Sequence, residues 1–122
     1  MRHDLRTAIR AGLLAGVAAL LAACQVGYTV DLRNMTDQPV TVTITGTRPL
    51  EPTALLREKW LGPGDRATIG PAAAEHDERI ELTADTRSNA FAPVSVLLEP
   101  GRSTFAIELT AAGRLVLRRM NQ

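Results

Sequence analysis

From residue 28 onward the chain alternates apolar and polar side chains with a period of two. Tyr28, Val30 and Leu32 alternate with Thr29, Asp31 and Arg33, and Val40, Val42 and Ile44 with Thr41, Thr43 and Thr45. Ile80, Leu82 and Ala84 alternate with Glu81, Thr83 and Asp85, and Phe105, Ile107 and Leu109 with Ala106, Glu108 and Thr110. Leu115 and Leu117 continue the pattern against Val116 and Arg118. Successive residues of a strand point to opposite faces, so this rhythm predicts strands with one apolar and one wet face. Antiparallel sheets solvated on one side have this pattern, and the Thr and Val enrichment agrees with strand preference. Val42, Ile80, Leu82, Phe105 and Ile107 are expected to be buried. Thr43, Glu81 and Glu108 are expected to be exposed.

Turn signals fall between these runs. Asn34 to Pro39 separates the first two, and Gly62-Pro63-Gly64-Asp65 separates a strand at 55–61 from one at 66–69. Glu99-Pro100-Gly101-Arg102 joins 94–98 to 103–109, and Ala111-Ala112-Gly113 joins that strand to 114–119. Proline presets one turn torsion and glycine accepts a positive one. Leu56, Trp60 and Leu61 also fit helical spacing, but the short run and its Gly-Pro-Gly stop favour a strand. About eight short strands at this rhythm predict an all-β fold, a small antiparallel β-sandwich.

The stretches Asn-Met-Thr-Asp-Gln-Pro-Val-Thr-Val (34–42), Leu-Gly-Pro-Gly-Asp-Arg (61–66) and Leu-Glu-Pro-Gly-Arg (98–102) resemble the turns of bacterial immunoglobulin-like sandwiches. The resemblance spans most of 27–120. It implies a fold and no particular activity. The cysteine and core-tryptophan spacing of true immunoglobulin domains is missing.

The amino-terminal segment follows a different rule. Arg2, Arg6 and Arg10, offset by Asp4, precede an apolar run from Ala11 to Ala23 that only Gly12 and Gly16 interrupt. A basic head, a short apolar run and small residues at its end describe a secretory signal. The run falls short of the roughly 20 apolar residues of a membrane-spanning helix. Leu21, Ala22, Ala23 and Cys24, the last being the sole cysteine, resemble a bacterial lipobox. That resemblance implies diacylglyceryl transfer to the Cys24 sulfur and cleavage before Cys24, with Leu21, Ala22 and Ala23 read by the signal peptidase. The expected organisation is a helical signal peptide at 1–23, a lipidated terminus and short tether at 24–27, and a sandwich domain at 28–120. One acyl chain holds a protein to a bilayer only marginally, whereas two hold it stably. Gln25 stands where proteobacterial lipoproteins retained in the inner membrane usually carry Asp. The resemblance therefore favours the outer membrane if the source is Gram-negative, with the domain on the periplasmic or extracellular side.

Removing 23 of the 122 residues leaves 99, a single-domain length. Three Arg and one Asp leave with the signal, so 14 basic and 13 acidic residues become 11 and 12, a net charge of −1. A domain so nearly neutral has no field for nucleic acid. With Cys24 lipidated it has no thiol for a disulfide, so its core must hold it.

Candidate chemistry is sparse. His76 is the only histidine after the signal and lies within Glu75-His76-Asp77-Glu78. Neighbours on an extended chain point apart, so these four cannot converge on one ion, and no second histidine completes a zinc or copper set. Ser88, Ser95 and Ser103 have only His76 as a base, with no nucleophile elbow. No glycine-rich loop opens a helix to cradle a phosphate. No catalytic residue, metal or cofactor is therefore expected. Two residues suit a binding surface. Trp60, flanked by Lys59, could stack on sugar or peptide or else fill the core. Phe91, in the long 86–93 connection, could contact a partner or cap the open end of the sandwich. Arg118 and Arg119 suit a strand edge that resists edge-to-edge pairing.

These features favour a non-enzymatic structural or binding module, held on membrane lipid through Cys24 and meeting another envelope protein or a glycan. An accessory subunit or inhibitor of an envelope enzyme, such as a cell-wall hydrolase, is the alternative. A third reading, an enzyme with dispersed catalytic groups, is weaker. Cys24→Ser is expected to abolish incorporation of radiolabelled fatty acid and to leave uncleaved precursor. A Ser variant that still labels would contradict the lipobox.

Overall fold

The computed structural model describes residues 25–120, and the expected signal helix and lipobox lie outside them. Eight strands form two four-stranded sheets. They are β1 (Gln25–Asn34), β2 (Val40–Thr47), β3 (Ala54–Leu61), β4 (Arg66–Glu75), β5 (Arg79–Thr86), β6 (Val94–Leu97), β7 (Gly101–Leu109) and β8 (Leu115–Arg119). One sheet has the order β4-β1-β7-β8 and the other β3-β2-β5-β6. The chain crosses between sheets after β1, β3, β4 and β6, and it turns back within a sheet after β2, β5 and β7. The expected small β-sandwich is thus the fold. The ladders are antiparallel except for one, because β1 and β7 run parallel.

The alternation reads directly onto the two faces. Val30 and Leu32 of β1, Val42 and Ile44 of β2, Ile80 and Leu82 of β5, and Phe105 and Ile107 of β7 meet in one core. Phe105 is 1% exposed. Full burial of such a side chain contributes about 1.5–3 kcal/mol. Thr43, Glu81 and Glu108 face outward as expected, but they are half-buried rather than exposed. Each sits on a strand with neighbours on both sides, so side chains on those strands screen it.

Most boundaries shift by one or two residues, β7 for instance beginning at Gly101 rather than 103, and two differ by more. β4 continues past Ile69 to Glu75, through Gly70 and a cis bond to Pro71. Its register on β1 shifts there, since Val30 pairs with Ile69 but Tyr28 with Ala72. Gly70 has a φ of 104°, and a Cβ at this position would lie 2.5 Å from the Tyr28 carbonyl oxygen. Only glycine fits such a bulge without displacing backbone. The strand also begins earlier than expected at the other partner. Gln25, Val26 and Gly27, read from sequence as a tether, pair with Glu75, Ala74 and Ala73.

The two ends of the sandwich are unlike. Gln25 marks one end, together with the 48–53 loop, the 76–78 turn and the 98–100 turn. Asn34 marks the other, together with the loops at 35–39, 62–65, 87–93 and 110–114. At that second end Asn34 is 0% exposed. Its Nδ2 donates to the carbonyls of Gln38 at 2.7 Å, Leu61 at 3.2 Å and Gly62 at 3.1 Å. Its Oδ1 accepts from the Thr36 amide at 3.0 Å and the Thr36 hydroxyl at 2.7 Å. Its backbone amide donates to Asp65, and its carbonyl accepts from Gly64.

Asn34→Ala strips the partners from these buried carbonyls and is expected to cost about 2–4 kcal/mol, since each orphaned group costs about 1–3 kcal/mol. Asn34→Asp, which turns a carboxylate toward three carbonyls, is expected to cost more. Urea unfolding followed by far-ultraviolet circular dichroism measures both, and an Asp variant as stable as the natural chain would contradict the network.

Candidate binding surface

Trp60 lies one residue before the end of β3 and points away from the core. It pairs with Thr41 of β2, which pairs in turn with Asp85 of β5, so the three form one row across the outer face of the sheet. The residue is 52% exposed. Arg87, just beyond β5, lies over it with its guanidinium carbon 4.8 Å from the ring centroid. Such a contact is worth about 0.5–1 kcal/mol at an exposed site, which favours this orientation of the indole. One carboxylate oxygen of Asp85, Oδ1, is shielded and has no hydrogen-bond partner among the described residues. Met35 adds a half-exposed apolar side chain at the same end.

Phe91 does not join Trp60. β3 and β6 are opposite edges of their sheet, with β2 and β5 between them. Phe91 precedes β6, is half-buried and packs on the core cluster beside Gly113. It therefore closes the end of the sandwich.

The strand edges are guarded. Arg57 and Lys59 pair with Ile44 and Val42, whose side chains face inward. Both cations thus lie on the inward side of the exposed edge strand β3, where charge deters an added strand. β4 is broken at Gly70-Pro71, and β6 has four residues. On β8, Arg118 donates to Glu108 of β7, and Arg119 lies 5.0 Å over the Phe105 ring.

The residues around His76 separate. Glu75 ends β4, Glu78 turns back to accept from the Glu75 amide at 3.2 Å, and Asp77 approaches Arg48 at 3.7 Å. No three His, Cys, Asp or Glu residues come together as a metal site among the described residues. Ser88 stands at the Asn34 end, far along the strands from His76. Ser95 bonds Thr83 at 2.8 Å, and Ser103 is buried. Glu78 also acts on Tyr28, whose hydroxyl is pushed above the usual tyrosine range, chiefly by burial and then by that carboxylate.

The other sheet carries a polar groove of about 840 Å³, lined in part by Asp31, Arg33, Arg66, Thr68, Arg102 and Thr104. Sequence reading passed over it because its residues come from three strands. Asp31 accepts from Arg102 through Nε at 2.6 Å and a second nitrogen at 2.9 Å, and from the Thr68 hydroxyl at 2.7 Å. Arg102 first, then Thr68, holds the Asp31 carboxyl below the usual carboxylate range. Cys24, Leu21, Ala22 and Ala23 lie outside the described residues. Compared with protein families, curated proteins and solved structures, the chain matches none.

A carboxyl group with a lowered folded pKa stabilises the fold fully above its unfolded value, about 3.9 for Asp. That stabilisation disappears as pH falls through the folded value. The urea midpoint is therefore expected to drop as the pH falls below about 3.9 and on through the lowered folded value. Asp31→Asn is expected to lower the midpoint at neutral pH and to flatten this acid decline. An unchanged acid decline in the variant would remove Asp31 from the account.

Proposed function

We propose that the protein is a lipid-anchored, non-enzymatic binding module of the bacterial envelope, built as an immunoglobulin-like sandwich. The observation that carries this reading is the placement of Trp60. It is held by Arg87 and half exposed at the end of the sandwich away from Gln25, the residue next to the lipobox cysteine.

The geometry supports an anchored end and a presenting end. At about 3.3 Å per residue, β1 carries the chain about 30 Å from Gln25 to Asn34. β1 starts directly after Cys24, so a lipid there would join the sandwich without a spacer. Leu50, wholly exposed in a left-handed backbone conformation (φ 62°), stands at the same end. The loops at the far end are braced by Asn34. Loops on a rigid scaffold are where binding concentrates. An exposed indole offers large contact area for little lost side-chain freedom. The guarded edges argue for recognition by this end rather than by strand addition. The partner is another envelope protein or a glycan.

A photo-crosslinking amino acid at position 60 in the full-length protein, expressed in its own envelope, tests the reading. A discrete adduct is expected. The same amino acid at Arg79, exposed on the outer face of that sheet at the Gln25 end, is expected to give none. Equal yields at the two positions would refute a presenting end.

A further inference from the structure

Arg33 of β1 and Arg66 of β4 are directly opposite each other in the antiparallel ladder. Side chains so placed have Cβ atoms about 4.5–5.5 Å apart, and like charges there destabilise the pair. Both are exposed on the outer face of the sheet and line its groove. Neither has a hydrogen-bond or ion-pair partner among the described residues.

The nearby acids are already engaged. Both oxygens of Asp31 are taken by Arg102 and Thr68. Glu108 is taken by Arg118. Ala106, beside Arg33 in the next strand of the same row, supplies no charge. Three guanidinium groups and one carboxylate therefore line the groove, with an excess of two positive charges. The Asp31–Arg102 pair forms a fixed wall beside the two unpaired arginines.

We propose that this groove binds a phosphoryl group, clamped between Arg33 and Arg66. The choice over a carboxylate follows from acceptor count. Each guanidinium presents a planar fork that binds two oxygens side by side. A carboxylate has two oxygens and satisfies one fork. A phosphate or phosphate ester has three or four, arranged tetrahedrally, and can meet both forks at once. Thr68 and Thr104 border the same space, and Met120 offers an apolar contact for the esterified part. The bound anion would neutralise the repulsion between the two arginines, which explains why the fold tolerates it. This site is on the opposite sheet from Trp60, and it depends neither on the anchor nor on that surface.

The test is calorimetric titration of the full-length protein in dodecyl maltoside, at low ionic strength. One arm uses inorganic phosphate, a second uses monomeric dihexanoyl phosphatidylglycerol, and acetate is the carboxylate control. Saturable phosphate binding is expected, with acetate at least tenfold weaker. Arg33→Ala and Arg66→Ala are each expected to weaken phosphate at least tenfold, and the double variant to abolish it. Arg33→Lys keeps the charge but loses the fork, and is expected to weaken binding severalfold. Trp60→Ala is expected to bind as the natural chain does.

A stability readout guards against misfolding. Without phosphate, either alanine variant is expected to unfold at a higher urea concentration than the natural chain, because the repulsion is gone. Phosphate is expected to raise the midpoint of the natural chain but not that of the double variant. Binding of phosphate alone assigns a soluble or polymer-borne source. Binding of the phospholipid as well, lost in the same variants, assigns a lipid source, and either result supports the site. Acetate binding as tightly as phosphate, or phosphate binding unchanged in the double variant, would overturn the proposal.

Discussion

The buried amide of Asn34 is the contact on which the Trp60 end of the sandwich depends. A five-residue connection from β1 to β2 must cross from one sheet to the other, and its carbonyls turn inward as it does so. The 62–65 turn makes the reverse crossing beside it. Neither loop can satisfy the other's backbone through a regular ladder. One side chain with two donor hydrogens and one carbonyl solves this, since it donates to Gln38, Leu61 and Gly62 while accepting from Thr36. A buried polar network of this kind is favourable only when every member is satisfied. Here the residue's own backbone is satisfied too, through Asp65 and Gly64. The two loops are thereby one rigid unit, and the end of β3 that carries Trp60 is fixed to it.

The two outer faces divide the polar chemistry of the domain. The β3-β2-β5-β6 sheet presents Thr41, Thr43, Thr45 and Thr83, with Ser95 at its edge and Trp60 in its terminal row. Glu58, Glu81 and Asp85 add acidic groups to that face, and Arg79 a single cation at its far end. The β4-β1-β7-β8 sheet presents Arg33, Arg66, Arg102 and Arg118, countered by Asp31 and Glu108. A chain of near-zero net charge thus carries a local cationic groove, because charges spread evenly in sequence are gathered by register. Net charge describes long-range fields and does not reveal a groove of this size.

Much of the fold was legible in sequence because period two is a local property. Each strand face follows from side chains two residues apart, so Val42, Ile80, Leu82, Phe105 and Ile107 could be placed in the core before any pairing was known. Where the alternation lapses, the reading failed. Ala72, Ala73 and Ala74 carry no apolar-polar contrast, so the second half of β4 was invisible. The strand was therefore read as ending at Ile69, just before the bulge at Gly70. Gly27 and Val26 similarly concealed the start of β1. The site was less legible than the fold. Trp60 could be named from sequence but not assigned to core or surface, because its exposure depends on β3 being an edge strand. Phe91 could be named too, and only the position of Gly113 against it shows that it is a cap.

The sequence by itself determined the strand class, the inward and outward faces, most of the turns, and a lipobox-like segment readable from a few adjacent residues. These are short-range facts, governed by side-chain alternation and by the torsions that Gly and Pro allow. Only the tertiary structure decided which strands are neighbours. The parallel pairing of β1 with β7 brings Asp31 to Arg102, 71 residues away, and the antiparallel pairing with β4 sets Arg33 against Arg66. Nothing local encodes such meetings. Register comes from burying all the apolar faces in one core at once, a condition that no single segment of the chain can express.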